Sequence, residues 1–263
     1  MTPEPPRVSI PAYPDLAGKV AVVTGGSKGI GAACCRVLAA NGVKVVVNGR
    51  SQAGIEERVR ELRAGGAEAI GYSADCTDSA ALTRMREEVE DVFGPPDIVL
   101  AYAGGFDSFT PIESISEQEW RKVIEDNLTS TFLTVKTFVP AMIERRSGNI
   151  VTMSSNGGRF LDKLLTASYA AAKAGVIQFT RHIALELGPY GIRANVIAPA
   201  TVSSERVERI MDAEAIDRTA AMSPLGNMGT PQDCALATLF LVSDSARWLT
   251  GVTLDIAGGR VML

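Results

Sequence analysis

Val20-Ala21-Val22-Val23-Thr24-Gly25-Gly26-Ser27-Lys28-Gly29-Ile30-Gly31 is the stretch that decides the fold. Its first five residues form a short apolar run, the pattern of a strand buried on both faces. Glycines follow, then a helical segment over residues 32–41 that Gly42 closes. A second strand is read over 43–47. Glycines let the backbone turn tightly. They also let a phosphate approach the helix N-terminus, where free N–H groups and the helix dipole favour negative charge. Set between a strand and a helix, this turn reads as a phosphate cradle. A tight turn of purely structural purpose is the plainer alternative. Gly25, Ser27, Lys28, Gly29, Ile30 and Gly31 are the candidate cradle residues.

The alternation continues down the chain. Helices are predicted over 52–64, 79–93, 116–144 (with a break near Asn127), 166–187 and 233–242. Strands are predicted over 67–72, 97–101, 148–153, 192–197 and 252–256. Ser116-Glu117-Gln118-Glu119 has the look of a capping box. Residues 201–222 read as irregular or helical and rich in charge. Strands interleaved with helices define an α/β class, a single-domain Rossmann fold with a seven-stranded parallel sheet covered on both faces. With 263 residues, 46% of them hydrophobic, one domain with a sizeable core is expected. It is placed at 17–263, with a substrate loop at 201–228. Residues 1–16, proline-rich and without a cationic start or apolar core, are read as a flexible leader and not a secretory signal.

A net charge of −4 does not suggest a nucleic-acid partner. No run is long enough for a membrane span, so a cytoplasmic location is expected. Four cysteines, Cys34, Cys35, Cys76 and Cys234, do not read as a disulfide framework, and no spacing suggests a metal. His182 is the one histidine, and it is read as a surface or satisfied helix residue.

A dinucleotide site usually places an acidic residue after the second strand for the ribose hydroxyls. Here the chain reads Asn48-Gly49-Arg50-Ser51, with no carboxylate. Arg50 and Lys28 would attract a 2′-phosphate, and arginine can engage it bidentately. NADP(H) is therefore expected over NAD(H). A solvated Arg50 is the plainer alternative.

A second motif is Ser168-Tyr169-Ala170-Ala171-Ala172-Lys173. The alanines favour a helix, which sets Tyr169 and Lys173 on one face. A nearby cation favours the phenolate. Bringing a phenol from about 10 to near 7 takes roughly 4 kcal/mol. A tyrosine so tuned exchanges protons at working pH. Standing alone, the pair reads first as an ordinary helix in which the tyrosine packs and the lysine snorkels.

Taken together, the residues resemble the short-chain dehydrogenase/reductase family over nearly all of 17–259. The marks are the turn from Thr24 to Gly31, Asp75, Ala103-Gly104, Asn127, Ser154-Ser155, Tyr169 with Lys173, Asn195 to Pro199, and Gly258-Gly259. The resemblance implies that Tyr169 is the general acid in ketone reduction and that Ser155 bonds the substrate oxygen. It implies that Lys173 holds the nicotinamide ribose and lowers the tyrosine pKa, with Asn127 holding a water. Asp75, with Cys76, would meet the adenine, Ala103 and Gly104 would border the cofactor, and the segment from Pro199 to Val202 would take the carboxamide. Ser154 competes with Ser155, and Asn127 has a bland reading as an amide bonded to backbone in a kinked helix.

Three departures stand out. Ala101-Tyr102-Ala103-Gly104 replaces a pattern with two asparagines, so the support of that loop is open. Ala200 follows Pro199 where glycine is usual. The segment from Ser155 to Tyr169 is a residue or so longer than expected. The pattern looks most like 3-oxoacyl-carrier-protein reductases, so a keto substrate linked to a carrier protein or CoA is expected. Arg145-Arg146 is a candidate basic patch for such a carrier, or else a charged helix end. Phe106, Phe109, Phe160, Leu164 and Leu165 make an apolar pocket plausible. A homotetramer is expected from the resemblance. The rival readings are an NAD-dependent alcohol, sugar or steroid dehydrogenase working oxidatively, and a non-catalytic dinucleotide-binding regulator.

Overall fold

The computed structural model describes residues 9–105, 109–161, 165–204, 207 and 211–262. Seven parallel strands form one sheet: β1 (Val20–Thr24), β2 (Lys44–Gly49), β3 (Ala69–Ser73), β4 (Ile98–Ala101), β5 (Gly148–Met153), β6 (Ile192–Pro199) and β7 (Thr253–Ile256). Their order is β3-β2-β1-β4-β5-β6-β7. Helices α1 (Gly29–Ala39), α2 (Gln52–Ala64), α3 (Ser79–Phe93), α4 (Glu117–Ile124), α5 (Ser130–Arg145), α6 (Ala167–Leu187), α7 (Ala213–Ala221) and α8 (Pro231–Val242) are the described α-helices. This is the Rossmann class expected from the alternation.

The strands explain why the apolar runs are unbroken. Ala21 and Val23 face one cluster with Val37 of α1, Ile55 of α2 and Leu239 of α8. Val20 and Val22 face a second with Leu82 of α3, Phe138 of α5 and Ile183 of α6. Each face of the sheet therefore has its own apolar layer, and alternate residues of one strand serve both.

The predicted boundaries either match or shift by one to three residues. The helix predicted over 116–144 is interrupted where expected: a wider π-type turn, Glu125–Thr129, separates α4 from α5. The capping box at Ser116 forms by half, with Ser116 accepting from the Glu119 N–H. The reciprocal box is at Thr230 and Asp233.

The leader needs correction in its described part. Leu16 is 0% exposed and belongs to the core, and Asn41 accepts the Tyr13 N–H and donates to the Pro11 carbonyl. Asp15 accepts the Asp244 N–H. The packed body thus starts ahead of residue 17, because a leucine in the core outweighs the local extended preference of the prolines. Leu16→Ala is expected to lower unfolding stability by about 2–5 kcal/mol in urea titrations. An unchanged midpoint would contradict this packing.

Candidate active site

The sheet order reverses between β1 and β4, which run side by side while their chains depart to opposite sides. A crevice at the strands' carboxyl ends is expected there. Its two walls touch closely. A Cβ on Gly25 (φ +68°) would lie 3.0 Å from the Tyr102 carbonyl oxygen, and one on Gly31 would lie 2.3 Å from the Gly25 oxygen. Only glycines permit both approaches.

Gly25, Ser27, Lys28, Arg50, Asp75, Cys76, Ala103 and Gly104 line one cleft of about 730 Å³ there. The cleft fits a dinucleotide on the chain's own geometry. Lys28 precedes α1 with no side chain capping the helix, so its first N–H groups are left to a ligand. A Cβ on Gly29 would meet nothing within 4 Å, so open space lies over that turn. Gly29, Ile30 and Gly31 form the first helical turn. Arg50 is exposed at the end of β2.

The acidic and thiol residues differ in availability. Asp75 accepts from the Thr77 N–H at 2.9 Å and the Thr77 hydroxyl at 2.7 Å. These bonds, with help from Arg50 and Lys122, hold its carboxyl below the usual range. Cys76 donates to Asn48 Oδ1, and burial pushes its thiol up to about 11. Ser51 accepts from the Gly54 N–H as the cap of α2, leaving its hydroxyl hydrogen. Val202 bridges to Gly229, and its side chain, 9% exposed, belongs to a core cluster. Pro199 ends β6, pairing with Ile256.

Tyr169 and Lys173 stand on the helix that begins at the cleft residue Thr166. Thr166 caps α6 by accepting the Tyr169 N–H. One turn on, Lys173 is 3% exposed. Its Nζ donates to the Met153 carbonyl at 3.0 Å and lies 5.5 Å from the Tyr169 ring centroid. Burial lowers its pKa from 10.5 to about 8. Ser154 donates to the Lys173 carbonyl at 2.7 Å, so that hydroxyl is committed to joining β5 to α6. Ser155 accepts the Gly157 N–H and donates to Asn156 Oδ1 at 3.2 Å. A Cβ on Gly158 would lie 2.7 Å from the Lys173 carbonyl carbon, so the turn after Ser155 rests on α6 beside the lysine.

Asn127 is fully buried in the π-type turn. Its Oδ1 accepts the Gly105 N–H, and its Nδ2 donates to the Gly105 and Val123 carbonyls. The bland reading describes its amide well. The loop with Tyr102 has other supports: Thr24 Oγ1 accepts the N–H groups of Tyr102 and Ala103, and the buried Tyr102 hydroxyl shares a 2.6 Å hydrogen bond with Thr238.

Arg145-Arg146 is corrected as an entrance patch within this chain. α5 runs back along the strands, so its end lies by their amino ends, away from the cleft. Arg145 donates to the Pro96 carbonyl and Arg146 to the Pro189 carbonyl, with its guanidinium over Tyr190. Phe106 and Leu164 lie outside the described residues; Phe109 and Phe160 are 55% and 50% exposed. His182 is exposed and meets Glu186 at 3.0 Å.

Sequence reasoning missed Asn48, Thr166 and Gly158. Asn48 donates to the Tyr72 and Ala74 carbonyls at the cleft wall. A polar residue ending an apolar strand was its available signal. Thr166 could have been found as a helix cap.

The comparisons agree with this fold. A family model described as enoyl-(acyl carrier protein) reductase matches residues 25–260. The chain is 36% identical over 252 residues to 3beta-hydroxysteroid dehydrogenase 1 of Eggerthella lenta, covering 95% of this chain and 96% of that one. It is 36% identical over 252 residues to the 3-oxoacyl-(acyl-carrier-protein) reductase FabG of Escherichia coli, covering 94% and 98%. The crystal structure of a 3-oxoacyl-(acyl-carrier protein) reductase with bound NAD from Brucella melitensis superposes with a TM-score of 0.88 at 30% identity, covering 95% and 94%. The chain belongs to the short-chain dehydrogenase/reductase family and is an oxidoreductase. No helix among the described residues is long and apolar enough to cross a membrane.

Burial of Lys173 has a measurable consequence. Between pH 8 and 10.5 the unfolded chain holds the lysine proton more tightly than the folded one, so this group makes stability rise with pH. Lys173→Met is expected to gain on the wild type below pH 8. That gain should shrink by about 2 kcal/mol between about pH 7 and 9.5 in paired urea titrations. A constant difference would contradict a depressed folded-state pKa.

Proposed function

We propose that the protein reduces a ketone to a secondary alcohol with NADPH, the substrate being a 3-oxoacyl thioester, carrier- or CoA-linked, or a related keto compound. The observation that carries this reading is the buried Lys173 ammonium beside Tyr169, adjoining the turn of Ser155. When bound, the reduced nicotinamide supplies the hydride. The chain supplies what the carbonyl oxygen then needs. Ser155 turns its hydroxyl from Asn156 to the substrate oxygen and orients it. Tyr169 gives that oxygen its proton, and the remaining phenolate is stabilised by Lys173. With its pKa near 8, Lys173 still carries its charge at neutral pH. Asn127 holds the Gly105 loop at the edge of the site and, on the family likeness, a water of the proton relay.

For the cofactor, the amino end of α1 takes the pyrophosphate, with Gly25, Ser27, Gly29, Ile30 and Gly31. Lys28, Arg50 and Ser51 take the 2′-phosphate. Asp75 and Cys76 flank the adenine, and Ala103 and Gly104 border the ribose that Tyr169 and Lys173 hold. Pro199 to Val202 takes the carboxamide. The absence of a carboxylate from Asn48 to Ser51 favours NADPH over NADH.

A cytoplasmic homotetramer is the proposed working form. Its support is the apolar surface on the long helices, where Phe132 and Leu185 are 41% and 77% exposed. Phe132 meets Phe179 edge-on at 6.2 Å between centroids. The β7 edge is another surface that benefits from cover.

With acetoacetyl-CoA and NADPH, Tyr169→Phe is expected to lower turnover by about 10²–10⁴-fold while NADPH binding stays measurable. Retained turnover would overturn the assignment. In fluorescence titrations, Arg50→Ala is expected to weaken NADPH by about tenfold or more and to leave NADH nearly unchanged. Tighter NADH than NADPH in the wild type would turn the reading toward an NAD-dependent dehydrogenase.

A further inference from the structure

The turn that carries Ser155 is held from two sides. On its inner side, Gly158 lies on the Lys173 carbonyl, and the Gly158 N–H bonds back to the Ser155 carbonyl at 2.9 Å. The N–H groups of Arg159 and Phe160 close on the Asn156 carbonyl. On its outer side, the chain soon becomes exposed, with Phe160 at 50% and Leu161 at 94%. Arg159 is the last strong anchor before that exposed stretch. Its Nη1 donates to Asp255 Oδ2 at 2.5 Å and reaches the Thr253 carbonyl at 3.4 Å. Both side chains of the pair are only 19% exposed.

The placement is unusual in what it spans. Ser155 follows β5, Asp255 sits in the edge strand β7, and β6 lies between them. The guanidinium therefore reaches across β6 to join the serine turn to the sheet's edge. Asp255 Oδ1 is buried with no hydrogen-bond partner, so the carboxylate depends on Arg159 for compensation. Removing one member of a largely buried pair leaves the other charge uncompensated, so the pair resists opening.

We propose that Arg159 and Asp255 are positioning residues: their ion pair fixes the Ser155 turn against β7 and sets where the serine hydroxyl points. This rests on the role proposed for Ser155. Neither residue touches the reacting atoms, and both act through the serine. A misplacement of about 1 Å at such a group can cost about 10²-fold in rate.

The test is a double-mutant cycle with Asp255→Asn, which keeps the side chain's shape, and Ser155→Ala, using acetoacetyl-CoA and NADPH. Asp255→Asn should lower kcat by about tenfold, with the NADPH Kd unchanged, and should add less than about twofold in the Ser155→Ala background. Arg159→Lys should lower kcat by less than Asp255→Asn does. Hydrogen exchange gives a readout independent of turnover: in Asp255→Asn the amides of Gly158, Arg159 and Phe160 should exchange at least about tenfold faster, with α6 unchanged. Equal losses in both backgrounds, or unchanged exchange in a folded variant, would overturn the positioning role alone. A fully active Ser155→Ala would instead overturn the serine's role, and this proposal with it.

Discussion

A lysine ammonium taken almost wholly out of water sets the terms for this fold. Such a charge is costly unless a hydrogen bond compensates it. Here the Met153 carbonyl at the end of β5 accepts from Lys173, so α6 must lie close along β5. That closeness in turn requires Gly158 against the lysine's own carbonyl and uses the Ser154 hydroxyl as a tie. The geometry that keeps the cation also sets Tyr169 beside it and rests the turn after Ser155 on α6. The same desolvation strengthens the lysine's interaction with Tyr169, because a charge in a low-dielectric site acts more strongly on its neighbour.

The cleft around Lys28 and Arg50 follows different physics. Lys28 and Arg50 are exposed, and the amino end of α1 has no side chain spent on capping it. Exposed cations cost little to keep and suit a ligand that brings its own charge. The chain thus keeps two exposed cations on the cleft apart from one buried lysine. Thr166, which caps α6, also lines the cleft.

The loop after β4 shows how a fold absorbs the loss of expected residues. Two amides are replaced by Ala101 and Tyr102, yet the backbone remains supported. Thr24 accepts two N–H groups, Asn127 grips Gly105 from both sides, and the Tyr102 hydroxyl meets Thr238 in α8. The buried phenol contributes through packing and one hydrogen bond, which leaves the cleft wall formed by Ala103 and Gly104 intact. The proposed Arg159–Asp255 anchor belongs to the same theme, because a lengthened segment near the site is restrained by a contact distant in sequence.

The class of fold was legible from residues 20–47 because a strand buried on both faces needs an unbroken apolar run and a phosphate turn needs glycine. The Tyr169–Lys173 pair was legible because helical periodicity is local. The π-type turn at Asn127 was readable as a break, though not its grip on Gly105. What only the tertiary structure decided was every relation across the sheet. Leu16 joined the core although its neighbours look like a leader. Ser154 became a tie, and Arg145-Arg146 fell at the far end because helices return antiparallel to their strands. The physical reason is common to all three: local sequence sets which conformation a segment prefers. Burial, charge compensation and the direction of each crossover depend on residues dozens of positions away.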